Sequence, residues 1–196
     1  MATFGDTNIR TIEYTQPNRL IGILATCPDK KGIANSIYVY ISSVIPYAGP
    51  GPAKCALYRQ SDSSLVGVTE EKTLGELTAQ WIAFNFTPSK PSISNIAYIP
   101  VIWFGGAYTH SVYYNTVSGA TWEYQDVTYN SFPNPASFNI LADTSFSIYV
   151  DYTPLKGVAS TPIGNLMQEA GIMIRKRFPE AKPFSLKFPQ LKPLTV

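Results

Sequence analysis

The chain has 196 residues, of which 45% are hydrophobic, 13% aromatic and only 14% charged, with a net charge of +2. That length fits one domain plus an appendage, and a body of about 150 residues can bury roughly 70% of its unfolded surface. No apolar run reaches the ~18 residues of a membrane-spanning helix, so no membrane span is expected. Ser, Thr, Asn, Tyr and Pro replace the missing charge, the usage of a β-sandwich whose strands are half-buried. Few charges also suit a surface covered by neighbouring subunits, and equally a polar, uncharged exterior.

In chain order the pattern is strand after strand. The start, Met1-Ala-Thr-Phe-Gly-Asp-Thr-Asn8, lacks a basic segment followed by an apolar one, so no secretory signal is expected. Asn8–Tyr14 alternates, with Ile12 and Tyr14 on one face. Arg19–Thr26 is continuously apolar, as in a strand covered on both faces. Ile33–Val44 puts Ile37, Val39 and Ile41 on one side and Tyr38 and Tyr40 on the other. A Pro- and Gly-containing loop, 46–52, follows. Lys54–Tyr58, Leu65–Thr69, Gln80–Phe86 and Ala97–Phe104 read as strands, and Pro100 predicts an edge position or a bulge for the last. Ser111–Asn115, Trp122–Tyr129 and Ser145–Tyr152 complete the set. About ten strands with no helix between them predict an antiparallel sandwich over residues 1–154.

The segments Leu65-Val-Gly-Val-Thr-Glu-Glu71, Trp81-Ile-Ala-Phe-Asn-Phe86, Trp103-Phe-Gly-Gly106, Tyr113-Tyr114, Asp126–Pro135 and Ser147–Pro154 occur in that order. Together they resemble a jelly-roll β-sandwich module, similar to carbohydrate-binding modules, of bacterial, archaeal and phage surface and structural proteins. The resemblance covers most of residues 8–154 and implies a jelly-roll body. It implies no catalytic motif.

Sugar binding would use exposed aromatic rings as platforms beside Asp, Asn or Gln. The cluster Trp103-Phe-Gly-Gly-Ala-Tyr108, with Tyr113 close behind, is the candidate, with Trp103, Tyr108 and Tyr113 as the platform residues. The alternative is that Trp103 and Tyr113 belong to the core, since every second strand residue points inward. Trp122 and Tyr124 share a strand face and are expected in the core. Asp6, Asp29, Asp62, Asp126 and Asp143 fall in or near turns without calcium-loop spacing, so no metal site is expected. His110 is the only histidine, and Cys27 and Cys55 form no CxxC, so neither a Cys/His zinc site nor another cofactor is predicted. The two cysteines fit core positions or one disulfide. Adjacent Glu70 and Glu71 on a strand face opposite sides and cannot act as an acid pair. No nucleophile motif or phosphate-binding loop is present, and the chain reads as a non-enzyme.

After Pro154 the grammar changes. Residues 1–154 hold eight Lys and Arg against eleven Asp and Glu, a net of −3, whereas residues 155–196 hold seven against two, a net of +5. Thr161-Pro162 is a helix start, and Ile163, Leu166, Met167, Ala170 and Ile174 make an apolar stripe, predicting a helix over about 162–177. Phe178, Phe184, Leu186, Phe188, Leu191 and Leu194, spaced by four prolines, predict an extended arm over 178–196 that docks into grooves or along a sheet edge. Only Arg175-Lys-Arg177 is contiguous, which argues against nucleic acid as the partner. Ile163, Leu166, Met167, Ile174, Phe178, Phe184, Leu186, Phe188, Leu191 and Leu194 are therefore the expected partner-binding residues, on a neighbouring subunit or on the chain's own body. The expected role is a structural subunit of a virion (decoration, fibre, tail or capsid component) or of an extracellular filament, forming a homo-oligomer or a larger assembly. A glycan-binding module is the alternative.

Overall fold

A computed structural model describes residues 2–43, 49–105 and 110–155. The described chain is all-β. Its strands are β1 (Ala2–Gly5), β2 (Ile12–Tyr14), β3 (Arg19–Ile23), β4 (Ala25–Thr26), β5 (Gly32–Ser43), β6 (Gly51–Arg59), β7 (Leu65–Leu74), β8 (Gln80–Asn85), β9 (Ser92–Ile93), β10 (Ala97–Phe104), β11 (His110–Asp126), β12 (Asn139–Phe146) and β13 (Ile148–Pro154). The expected helix over 162–177 and the arm over 178–196 lie outside the described residues.

All strand pairs are antiparallel and form one continuous sheet, ordered β1-β13-β5-β11-β3-β10-β6-β7, with β8 and β9 on β5, β2 and β12 on β11, and β4 on β10. Two wings meet where His110–Val112 pair with Ser43–Ile41. One wing is β1, β13, β5 and β8; the other is β7, β6, β10, β3, β4, β11 and β12. The inward side chains of both wings share a single core: Ile37, Val39, Ile41, Phe84, Ile148 and Val150 from the first join Ile21, Cys55, Leu57, Ile102 and Phe104 from the second. This shared core is what a β-sandwich requires. Alternation explains β5, whose odd-numbered Ile37, Val39 and Ile41 are fully buried while Tyr38 and Tyr40 are half-buried on the outside.

The second wing is covered on its outer side as well. Val127, Tyr129, Phe132, Ala136 and Phe138, from the segment between β11 and β12, pack on Leu20, Ala56, Tyr58, Ile99, Val101 and Trp103. Burial on both faces accounts for the continuously apolar sequences of β3 and β10. The expected edge position of β10 is corrected by this arrangement, because β10 lies centrally between β3 and β6. Tyr98 stands opposite Ala25 and Val101 opposite Gly22, so the register is the same on either side of the break between β3 and β4. The break falls opposite Ile99-Pro100, where the proline has no N–H to donate. On its other side the chain stays paired, with Leu24 N–H donating to the Thr121 carbonyl of β11 at 3.3 Å. Gly22 is needed here: a Cβ would lie 2.6 Å from the Pro100 carbonyl oxygen.

Two further boundaries differ from the sequence pattern. The expected strands at 111–115 and 122–129 are one 17-residue strand, β11, which changes partner from β5 and β2 to β12 and β3 along its length. The expected strand at 145–152 is two, because the chain passes from β12 to β13 at Ser147. There Ser147 Oγ donates to the Asn8 carbonyl at 2.8 Å and accepts from Arg10 N–H at 2.9 Å.

Candidate functional site: an aromatic face outside the core

The expected sugar platform does not form as the sequence suggests. Trp103 is fully buried, so its ring presents no face to a ligand, and this residue is removed from the platform. Its ring centroid lies 5.0 Å from that of Tyr129 and 5.1 Å from that of Phe132. The Lys54 ammonium lies over the same three rings, 4.4 Å from the Tyr129 centroid, and donates to the Asn130 carbonyl. Trp103 thus holds the covering segment down. Tyr108 lies outside the described residues. Trp122 is in the shared core as expected, with Tyr124 against it at 5.2 Å.

Tyr113, the other described member of the three, sits at a surface, and it belongs to a different group. On the outer side of the first wing, four half-buried rings and that of Tyr113 from the adjoining start of β11 form an unbroken chain. Tyr113 meets Tyr40 at 5.2 Å, Tyr40 meets Trp81 at 5.4 Å, Trp81 meets Tyr149 at 4.9 Å, and Tyr149 stacks on Tyr38 at 4.9 Å with only 4° between planes. Strand register makes the chain: Tyr40 stands opposite Trp81 across β5 and β8, and Tyr38 opposite Tyr149 across β5 and β13. Because side chains alternate, the outward positions of β5 carry the tyrosines while the inward ones fill the core. Trp81 is inclined by 67° and 65° to the rings on either side of it.

Polar groups bracket the rings. At one end Tyr113 hydroxyl donates to Glu13 Oε1 at 2.8 Å and lies 3.0 Å from Ser42 Oγ. Beside it is a cleft of about 460 Å³ lined by Glu13, Ser42, Ser43, Thr78 and Tyr113 among others. At the other end Ser36 stands between Asn85 and Asp151 across the three strands. Ser36 Oγ donates to Asn85 Oδ1 at 2.8 Å, and Asn35 Nδ2 lies 3.4 Å from Asp151 Oδ2. Burial, then the neighbouring Tyr38 and Asp151, raise the pKa of the Tyr149 phenol. Burial raises that of Tyr113 as well, and its bond to Glu13 adds to the effect. Both phenols therefore stay protonated and able to donate at neutral pH. The arrangement offers apolar ring surface with hydrogen-bonding groups at each end, which suits recognition of a ligand that is itself part apolar and part hydroxylated.

No family model matches the chain, and no curated protein sequence matches it.

The other candidate residues have structural partners. Asp6 accepts from Arg10 Nε at 2.8 Å, Asn8 N–H at 3.0 Å and Ser145 Oγ at 2.6 Å. Burial pushes its carboxyl up, but bonds from Ser145, Arg10 and Asn8 outweigh this and hold it below the usual carboxylate range. Asp29 accepts from Tyr152 hydroxyl, Asp62 from Ser64 and Arg59, Asp126 from Arg19, and Asp143 from Gly119 N–H. Among the described residues no three His, Cys, Asp or Glu side chains are grouped to hold a metal ion. Cys27 and Cys55 are buried and unbonded to each other, so the disulfide alternative is excluded in this state. Glu70 accepts from Asn85 at 2.8 Å, whereas Glu71 accepts from Tyr129 hydroxyl at 2.9 Å. The two neighbouring carboxylates thus serve different partners. The ten expected partner-binding residues from Ile163 to Leu194 lie outside the described residues.

The rings at Tyr38, Tyr40, Trp81 and Tyr149 were missed as a site by sequence reasoning. The signal available was the alternation of Tyr38 and Tyr40 against Ile37, Val39 and Ile41. Only strand pairing reveals that Trp81 and Tyr149 join them.

Proposed function

We propose that this chain is a non-enzymatic structural subunit of a virion or extracellular filament: a jelly-roll body with a C-terminal arm that binds neighbouring subunits. The observation that carries the reading is the division of charge and apolarity along the chain. The body has a net charge of −3, while the last 42 residues carry +5 and a proline-spaced series of Phe and Leu. Large apolar side chains at intervals gain free energy only when buried, and an acidic body attracts a basic arm. Phe184, Phe188, Leu191 and Leu194 fill grooves on the partner, and Lys182, Lys187 and Lys192 meet its acidic surface. The test is light scattering on the full chain and on a variant with those four apolar residues replaced by Ser. Loss of the oligomer with the body still folded supports the arm; an unchanged oligomeric state sinks it.

A second reading is favoured by a separate observation, the chain of five rings on the outer side of the first wing and the adjoining start of β11. We propose that this face, rather than the loop around Trp103, binds the glycan in a lectin-like role. Trp81 supplies the central ring, with Tyr40 and Tyr149 beside it, Glu13 and Ser42 at one end and Asp151 and Ser36 at the other. Calorimetry with a panel of oligosaccharides tests it. Binding heat that disappears in Trp81→Ala is the expected result, and no heat from any member of the panel would overturn it.

A further inference from the structure

We propose that the outer edge of β12 pairs with the same edge of a second copy of this chain, so that one antiparallel sheet runs across two subunits. It extends the assembly reading to an interface that does not use the arm. Among the described residues, β12 is paired on one side only: Asn139–Ala142 stand opposite Tyr124–Thr121 of β11, whose other side is occupied by β3. The outward N–H and C=O groups of such an edge are a template on which another strand can pair. Side chains at the same edge are unusually apolar for their exposure. Ile140 is 62% exposed and Leu141 46%, one on each face of the strand.

A second copy fits better than an unrelated strand because the edge is self-complementary. Asn139-Ile-Leu-Ala142 contains no charge and no proline, so a two-fold pairing sets no like charges opposite each other and loses no donor. No Lys or Pro protects these four residues, and the first charge along β12 is Asp143, whose φ of 57° and bond from Gly119 N–H end the regular segment. A two-fold contact of this kind is isologous, since the same four residues serve both partners.

The experiment is light scattering on the full chain and on Ile140→Lys/Leu141→Lys, with circular dichroism to check the fold. The inference expects the mass to fall by a factor of two in the double variant, since cations would face each other across the two-fold. An unchanged mass with native circular dichroism overturns it, whatever the arm variant does. If the arm variant lowers the mass and the edge variant does not, the arm stands and the edge falls. Should the double variant fail to fold, Leu141→Cys decides. Both native cysteines are buried, so a covalent dimer after mild oxidation supports the edge pairing and its absence rejects it.

Discussion

Trp103 and Trp81 lie on the outer sides of the two wings and end in opposite situations. Trp103 is fully buried beneath the segment Val127–Phe138, while Trp81 is half-buried among four tyrosines with no such cover among the described residues. The residue types are the same, so the difference lies in whether a loop returns across the sheet. An aromatic cluster on a sandwich is core or binding face according to what the chain lays over it.

The largest effect should come from lifting that cover. Phe132→Ala removes a buried ring packed on Trp103 and Tyr58 and is expected to destabilise by about 3–5 kcal/mol in denaturant unfolding. Trp81→Ala, on the uncovered wing, should cost about 1 kcal/mol. Equal losses would erase the distinction between the wings. Gly22→Ala sharpens the account of the covered wing, because its Cβ would meet backbone at Pro100 and force β3 from β10. A loss of about 1–3 kcal/mol is expected, and a neutral result would contradict the close approach.

Two carboxylates probe the wings by pH. Asp6, on the loop after β1, is held low by its hydrogen bonds, so it stabilises the fold above its unfolded pKa and loses that contribution as pH falls through its lower folded value. Asp6→Asn should therefore cost about 1–2 kcal/mol at pH 7, with the gap from the native chain closing in acid. Glu123, buried beside Gly22 and Ile140, is pushed up by burial. Its folded form favours the proton, so its contribution is present below about pH 4.5, the ordinary value, and is lost as pH rises through the folded pKa. Glu123→Gln should raise stability at pH 7 by about 1 kcal/mol and change little in acid. Thermal melts at both pH values check the pair, and a destabilised Glu123→Gln would show that the carboxylate has a partner worth keeping.

What was legible in the sequence follows from what each strand buries. β5 is readable because one face is core and the other is not, so Ile37, Val39 and Ile41 alternate with tyrosines. The continuous apolarity of Arg19–Thr26 indicated cover on both faces, which holds over Leu20–Ile23, whereas Leu24 is exposed. Pro100 misled because its missing donor is accommodated by a break in the neighbouring strand rather than by an edge. β11 was read as two strands because Thr116–Ala120 is largely exposed and lacks an apolar pattern, although its backbone continues between changing partners. The aromatic face was half legible: Tyr38 and Tyr40 show their common side locally, whereas Trp81 and Tyr149 arrive through long-range pairing. Trp103 was left between platform and core, and it is core, because its fate depends on a segment nearly thirty residues further along.

Whether this chain joins to other copies is read directly from the solution mass of the full chain, by light scattering across a wide concentration range. Species at multiples of 21.6 kDa that grow with concentration are expected. A strict 21.6 kDa monomer at every concentration would contradict both self-assembly interfaces.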